Sequence, residues 1–327
     1  IESFSQTLQA ELAKNPLKGG AVTQAVVIAV NDAKKKVTVR MGISQGVIAF
    51  KDMQWARKPD VELTYHEAKI RKPSEALAAG DVILVRVKKD KNEDKEPWSV
   101  DLEQIPVAQS ALMCIETETG LVKAMVGGRD FKQTQFNRAI QSRRQPGSAF
   151  KPIIYAAALD KQFDDPEKIY TPATVIVDSA IVFKDEERDF TWKPKNYKKT
   201  FYGPTLFRKA LTKSRNLVTI KILQDIGVDY AIDYATKLGI DSKLSRDLSI
   251  ALGSSGISLL ELLRAYSVFM TSLLEGVVNH GTGWRVRELK RPVAGKTGTT
   301  NNLFDAWFVG YTPQFITGVW VGLDEEA

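Results

Sequence analysis

From residue 21 onward the hydrophobic positions alternate with polar ones at a period of two, over Val26 to Val30, Val37 to Met41, Gly46 to Phe50, Asp81 to Val87 and Trp98 to Leu102. Alternation of this kind marks half-buried strands, because successive side chains of an extended chain point to opposite faces. Five short strands separated by turn-rich or charged segments predict a small antiparallel barrel over 21–107. Asn31-Asp32 and Ala79-Gly80-Asp81 supply turn chemistry. The stretch from Asp52 to Gly80 is polar and without a period, so a long loop is expected there. Residues 1–20 read as a short polar helix or linker ending at Gly19-Gly20.

A second pattern starts at 108. Ala111 to Ile115 and Leu121 to Val126 flank Glu116-Thr117-Glu118-Thr119-Gly120 and read as a hairpin, with Gly120 suited to a turn position of positive φ. A helix is expected from near Ser148, where Tyr155-Ala156-Ala157-Ala158-Leu159 are good or adequate helix formers. Further helical stretches are Leu206 to Lys213, Leu217 to Ile226, Tyr230 to Leu238 and Leu259 to Phe269, and strands close the chain around Ala294, Asp305 to Tyr311 and Phe315 to Leu323. Strands first, helices between and strands last predict an α+β domain over 108–327. Its terminal strands would share one antiparallel sheet covered by the central helices.

Composition narrows the class. The 327 residues are 43% hydrophobic and 26% charged, the balance of a soluble globular protein. The longest apolar run near the start, Ala25 to Val30, is far too short to span a bilayer, and the first residue is Ile. Cys114 is the only cysteine, so no disulfide forms within the chain, and two histidines leave too few ligands for a structural zinc. His66-Glu67 opens like a zinc-protease helix, but no second histidine follows four residues on. The net charge of +7 is concentrated at Lys34-Lys35-Lys36, Lys88 to Lys95 and Lys193 to Lys199. These clusters read first as solvated loop and strand-edge lysines, with an anionic partner as the alternative. A nucleic-acid binder would interleave aromatics along a basic strand face, and the barrel offers little beyond Phe50, Trp55 and Trp98, so no nucleic acid is expected.

Candidate chemistry comes from three short motifs, each occurring once: Ser148-Ala149-Phe150-Lys151, Ser214-Arg215-Asn216 and Lys296-Thr297-Gly298-Thr299. Taken singly they are ordinary caps and loops. Together they supply what acyl transfer requires. A serine hydroxyl becomes a good nucleophile only when a base takes its proton. Neither His66 nor His280 sits in a serine-protease context, and no G-x-S-x-G elbow occurs. A lysine whose ammonium is destabilised by burial or by neighbouring positive charge can serve, and one helical turn puts Lys151 on the face of Ser148. Pro152 falls in the first turn, where no intrahelical donor is lost. Ser214 offers a hydroxyl that can relay protons and Asn216 an amide that can grip a peptide. Lys296, Thr297 and Thr299 offer charge and hydroxyls for a carboxylate, and Gly298 permits close backbone approach. A phosphate-binding loop is excluded, because the glycine required five residues before Gly295 is absent.

These motifs resemble the active site of the penicillin-binding proteins and serine β-lactamases. The likeness extends to Phe136-Asn137-Arg138-Ala139, Arg144 to Pro152, Gly203-Pro204, Ala251 to Ser255, Gly281-Thr282-Gly283 and Asp305 to Pro313, as in the class A (bifunctional) Gram-negative type. Gly80 to Val85 and Leu102 to Pro106 are similar to the OB-like domain of that type. The resemblance implies a transpeptidase fold plus a small all-β OB-like barrel, and a serine D,D-transpeptidase that cross-links peptidoglycan stem peptides and is acylated by β-lactams. It implies Ser148 as nucleophile, Lys151 as base, Ser214 as proton relay and Asn216 as orienter of the acyl chain. Lys296, Thr297 and Thr299 would bind the terminal carboxylate, and the N–H groups of Ser148 and Thr299 would hold the oxyanion, with no cofactor or metal. It further implies a membrane anchor and a glycosyltransferase domain elsewhere in the full protein, a protein partner for the barrel, and a place at the periplasmic face of the bacterial inner membrane.

A D,D-carboxypeptidase or β-lactamase-like hydrolase would use the same site. A class A β-lactamase also needs a deacylating glutamate, and no Glu-x-x-Leu-Asn stretch lies between Asn216 and Lys296; Glu275 to Asn279 comes nearest, with Val278 at the leucine position. A binding scaffold with a decayed site is disfavoured by the presence of every motif residue. The 80 residues separating Asn216 from Lys296 are few for this family, and helix patterns meet without a turn at Phe269-Met270-Thr271. A loop of the longer protein is therefore expected to be absent there, and a further helix is expected after Ala327.

Overall fold

The computed structural model describes residues 2–14, 16–60, 62–64, 66–89, 97–185, 190–267, 271–300 and 304–324. The chain divides into two compact units, 1–106 and 107–327.

In the first unit, helix α1 (Glu2–Lys14) precedes strands β1 (Val22–Asn31), β2 (Lys36–Met41), β3 (Ser44–Ala49), β4 (Val82–Val87) and β5 (Trp98–Glu103). The strands close into a barrel in the order β1-β2-β3-β5-β4. All neighbours are antiparallel except β3 and β5, which run parallel. Val37, Val39 and Met41 alternate inward along β2 and meet Ile48, Val85, Val87 and Val100 in an apolar core. The β1–β2 turn places Lys35 at φ 49°, while Asn31 Oδ1 accepts from Lys34 N, so the asparagine supplies an Asx-type bond to the turn. Among the described residues of 53–81 are one short 3₁₀ turn, Pro73–Glu75, and an isolated bridge, Arg57 to Lys69, as a segment without a period should show. Lys88, read from the sequence as a solvated lysine, pairs with Asp52 at 2.7 Å and Asp101 at 3.1 Å. Residues 90–95 of its cluster, and the charged Glu93 to Glu96, lie outside the described residues.

The second unit begins with the hairpin β6 (Gln109–Glu116) and β7 (Val122–Val126), with Gly120 at φ 71°. A 3₁₀ turn, Gly147–Phe150, leads into α2 (Lys151–Asp160). Two small ribbons follow. Strand β8 (Val175–Asp178) pairs with β11 (Gly203–Leu206), and β9 (Phe183–Asp185) pairs with β10 (Phe190–Trp192). Helices α3 (Phe207–Thr212), α4 (Asn216–Ile226), α5 (Val228–Lys237), α6 (Leu259–Ser267) and α7 (Thr271–His280) precede β12 (Ala294–Thr299), β13 (Asp305–Tyr311) and β14 (Phe315–Gly322). The last three strands and the first hairpin form one antiparallel sheet in the order β12-β13-β14-β6-β7. The two ends of this unit therefore meet at its centre, where β14 pairs with β6.

Helix α2 is buried on every side from Lys151 to Ala158, which is how a central helix differs from an amphipathic surface one. The segment expected to be helical from Leu206 is strand up to that residue and helix after it. The ribbons have no counterpart in the sequence reading. The junction at Phe269-Met270 lies outside the described residues, and the family-derived loop with it.

Candidate active site

Ser148 lies in the 3₁₀ turn at the head of α2, on a cleft of about 510 Å³. The turn is held from several sides. Tyr266 donates its hydroxyl to Ala149 O at 2.6 Å, Trp307 donates Nε1–H to Gln145 O at 2.8 Å, and Gly147 N–H reaches Gly253 O at 3.3 Å. Gly147 has φ 54°, and a Cβ there would stand 2.5 Å from Thr299 O and 3.1 Å from Thr299 N. Only glycine allows the Ser148 turn to lie this close to the backbone of β12. Gly298 meets the same demand from the other side, since a Cβ on it would fall 2.3 Å from Pro146 O. The peptide groups of Ser148 and Thr299 are thereby brought to one edge of the cleft.

Lys151, one turn after Ser148, is fully buried. Its Nζ donates to Asn216 Oδ1 at 2.6 Å, Ser214 O at 2.8 Å and Ser214 Oγ at 3.3 Å. Lys296 is equally buried, and its Nζ donates to Thr297 O at 2.9 Å and Ser214 Oγ at 3.1 Å. One hydroxyl thus stands between two dry amines. Burial, and then the charges of Lys296 and Arg215, hold the Lys151 amine well below its ordinary range. Burial brings Lys296 down from 10.5 to about 7. Both amines are thus pushed towards the neutral form, and both reach the Ser214 hydroxyl.

Ser214 owes its place to a helix ending. Arg215 N–H bonds to Ala210 O and Ser214 N–H to Leu211 O, the crossed pair of a Schellman motif closing α3. Ser214 takes the left-handed position with φ 54°. Glycine is the usual residue there, and a side chain costs about 1 kcal/mol or more. The strained residue supplies the hydroxyl that both amines reach, as residues in sparsely populated conformations often do at functional sites.

The structure brings the sequence-predicted residues together from three segments. Ser148, Ser214, Asn216, Thr297 and Thr299 line the cleft, whereas Lys151, Lys296 and Gly298 stand behind the lining. Thr297 Oγ1 lies 2.7 Å from Thr282 Oγ1 of Gly281-Thr282-Gly283. Sequence reasoning missed the wall formed by Asn196, Tyr197, Lys198 and Tyr202. The Arg215 guanidinium lies over the Tyr202 ring, 3.0 Å from its centroid. Asn196 is buried and hydrogen-bonded to Asn216 N. No group of three or more potential metal ligands occurs among the described residues.

The penicillin-binding protein transpeptidase domain matches residues 111–272, and the penicillin-binding protein OB-like domain matches 2–108. The first range holds Ser148, Lys151, Ser214 and Asn216 and stops before Lys296, whose place rests on β12. Penicillin-binding protein 1A of Pseudomonas aeruginosa is 33% identical over 94% of this chain and 47% of its own length. That of Vibrio cholerae is 31% identical over 99% and 47%. The chain spans about half the length of these curated relatives. In fold it is similar to penicillin-binding protein 1A from Haemophilus influenzae, with TM-score 0.74 and 23% identity over 98% of this chain and 55% of that one. It is also similar to the PonA1 protein from Mycobacterium tuberculosis in complex with penicillin V, with TM-score 0.55 and 22% identity over 68% and 72%. A transpeptidase domain preceded by an OB-like barrel, and relatives of one kind matched along almost the whole sequence, give the assignment: the chain belongs to the penicillin-binding proteins.

Proposed function

We propose that this chain is a serine D,D-transpeptidase that cross-links peptidoglycan stem peptides through an acyl-serine intermediate on Ser148, and that β-lactams acylate the same residue. The observation that carries this reading is the Ser214 hydroxyl shared by two buried amines, one of them a single turn from Ser148. A neutral Lys151 takes the proton as Ser148 Oγ attacks the carbonyl carbon of the penultimate D-Ala. The N–H groups of Ser148 and Thr299 hold the oxyanion, a placement favoured by the tight approach of Gly147 to Thr299. The proton passes through Ser214 to the nitrogen of the departing D-Ala, and the C–N bond breaks. Lys296, Thr297 and Thr299 bind the terminal carboxylate, and Asn216 orients the acyl chain. An acceptor amine from a second stem peptide then attacks the ester. The C–O bond breaks and its proton returns to Ser148. With water as acceptor the same steps hydrolyse the ester, as a carboxypeptidase would. A β-lactam opens its ring in the first half of this sequence and keeps its leaving nitrogen tethered. The solved relative in complex with penicillin V supports binding of a β-lactam by such a domain.

The domain limits that fit this reading are an OB-like barrel over 21–107 and a transpeptidase domain over 108–327. A protein partner for the barrel is part of this proposal. A larger membrane-anchored protein with a glycosyltransferase domain, working at the periplasmic face of the inner membrane, is its setting in this proposal. No described helix is long and apolar enough to cross a membrane.

The test is intact mass after incubation with benzylpenicillin, for the parent and for Ser148→Ala. The expected result is one persistent adduct on the parent and none on the variant. An adduct on both proteins moves the nucleophile elsewhere, and rapid release of penicilloate would turn the assignment to β-lactamase.

A further inference from the structure

Asn196 lies between β10 and β11, flanked by exposed Lys195 and Tyr197, yet only 4% of its own surface is exposed. Its Nδ2 donates to both carboxylate oxygens of Asp178, at 2.8 and 2.9 Å, and to Thr200 O at 2.9 Å. An ionised carboxylate and a carbonyl can only accept, so the amide has a single satisfactory orientation and Oδ1 must face the other way. There it accepts from Asn216 N at 2.9 Å and lies 3.5 Å from Leu217 N. Those are the first two peptide groups of α4, which has no side-chain cap of its own. Asn196 therefore caps α4 from 20 residues upstream.

The same short segment grips the other end of Asn216. Lys195 O accepts from Asn216 Nδ2 at 2.9 Å. With its N–H and its side-chain NH₂ both held by neighbouring residues, Asn216 is left with Oδ1 aimed at Lys151 Nζ, 2.6 Å away. Asp178 closes the series from behind, with only 1% of its surface exposed.

We propose that Asn196, oriented by the buried Asp178, is a positioning residue for acylation of Ser148, acting through Asn216 on the place of the Lys151 amine. This rests on the reading of Ser148 as nucleophile and Lys151 as base. Asn196 touches the helix end and the carboxylate and has no part in the bond-making itself. Its loss would leave the substrate's carboxylate contacts at Lys296, Thr297 and Thr299 in place while Lys151 moved.

The experiment measures β-lactam acylation of the purified chain as a function of benzylpenicillin concentration and pH. It separates the saturating rate from the half-saturating concentration. Asn196→Ala is expected to lower the saturating rate by about ten- to a hundredfold, the scale of a displaced catalytic group, with half-saturation changed by less than about threefold and the acid limb of the pH profile moved. Asn196→Asp sets two carboxylates face to face and should be slower still. In the pair Asp178→Asn with Asn196→Asp, an amide again donates to a carboxylate that accepts from Asn216 N; only the bond to Thr200 O is not restored, so the rate should recover at least about tenfold over Asn196→Asp alone. Thermal melting follows folding in each variant, and the polarity swap keeps the test decisive if Asn196→Ala folds poorly. An Asn196→Ala chain with a lowered melting temperature, the parental saturating rate and the parental pH profile would overturn the proposal, as would a swap that restores melting and leaves the rate unimproved. If the parent itself forms no Ser148 adduct, the underlying reading falls and takes this one with it.

Discussion

The barrel and the second unit are closed by different kinds of interior. In the barrel the residues with no exposed surface include Ala25, Val27, Val37, Val39, Met41, Ile48, Met53, Val85 and Val100. No charged residue is buried among its described positions. In the second unit, Lys151 and Lys296 are as dry as the leucines around them, and Asp178, Glu261, Asp305 and Arg138 are nearly so. Glu261 shows that a buried charge need not be reactive. It forms a capping box with Ser258 at the start of α6 and accepts from Asp241 N and Ser242 N; burial pushes its pKa up, but the bonds from Ser258 and Ser242 outweigh this and hold it below the usual carboxylate range. The lysines differ because burial lowers their pKa, and for Lys151 the positive charges of Lys296 and Arg215 lower it further. Each reaches the same hydroxyl, and for Lys151 the nearby charges are positive. Where a fold keeps an amine dry beside another amine, it gives up stability, as functional sites often do, and the described residues of the barrel include no such place.

Lys296→Met tests this most severely. Removing the amine should cut acylation by about a thousandfold, since a preorganised charge for the substrate carboxylate is gone. The same substitution should raise stability at pH 6 by roughly 1–3 kcal/mol, because a buried cation gives way to an apolar isostere. The pH dependence follows from the lowered pKa of about 7 against an ordinary 10.5. Below 7 both folded and unfolded chains hold the proton, and the full cost of burying the charge weighs on the fold. Between 7 and 10.5 the unfolded chain alone holds it, so stability of the parent rises with pH. The advantage of Lys296→Met should therefore shrink across that window, as thermal melting at a series of pH values would show. An advantage that stays constant, or a variant less stable at pH 6, would break the contrast between the two interiors.

Ser214→Gly separates the cost from the use of a single residue. Glycine fits the left-handed end of α3, so the variant should gain about 1 kcal/mol in denaturant unfolding. It loses the hydroxyl between the amines, and acylation should fall by about a hundredfold, the contribution of a positioned proton-transfer group. A gain in stability with unchanged acylation would remove Ser214 from the proton path.

The sequence and the structure agree where the signal is local. The barrel strands were readable because period-two alternation and a closed sheet impose the same pattern, and Gly120 because a hairpin needed positive φ there. Ser148 and Lys151 were readable as a pair because one helical turn joins them, although the first of them stands in a 3₁₀ turn ahead of α2. The β8–β11 and β9–β10 ribbons were not readable, since strands of three or four residues are too short to show a period. Asn196 and Asp178 were hidden for a related reason. Their partners are 18 and 20 residues away, and nothing in Pro194-Lys195-Asn196-Tyr197 announces that one polar residue among exposed neighbours is buried. The strained φ of Ser214 was hidden as well, because the glycine that normally announces such a helix end is absent.

The smallest effect on chemistry is expected from the largest disturbance of the barrel. Ile48 has no exposed surface and packs with Val39, Met41, Val85 and Val100 inside the closed sheet. Ile48→Ala removes three heavy atoms from that core and should cost about 2–5 kcal/mol, the range for such truncations. If the barrel's interior serves only its own closure, acylation of Ser148 should stay within about twofold of the parent at temperatures below the shifted transition, because separate cooperative units open independently. Ile220→Ala supplies the contrast. It removes a fully buried side chain from α4, the helix whose first residue is Asn216, and should slow acylation as well as lower melting. Equal loss of acylation from both truncations would mean that the barrel's packing helps to hold the Ser148 site. The apolar interior would then belong to the catalytic apparatus as much as the charged one does.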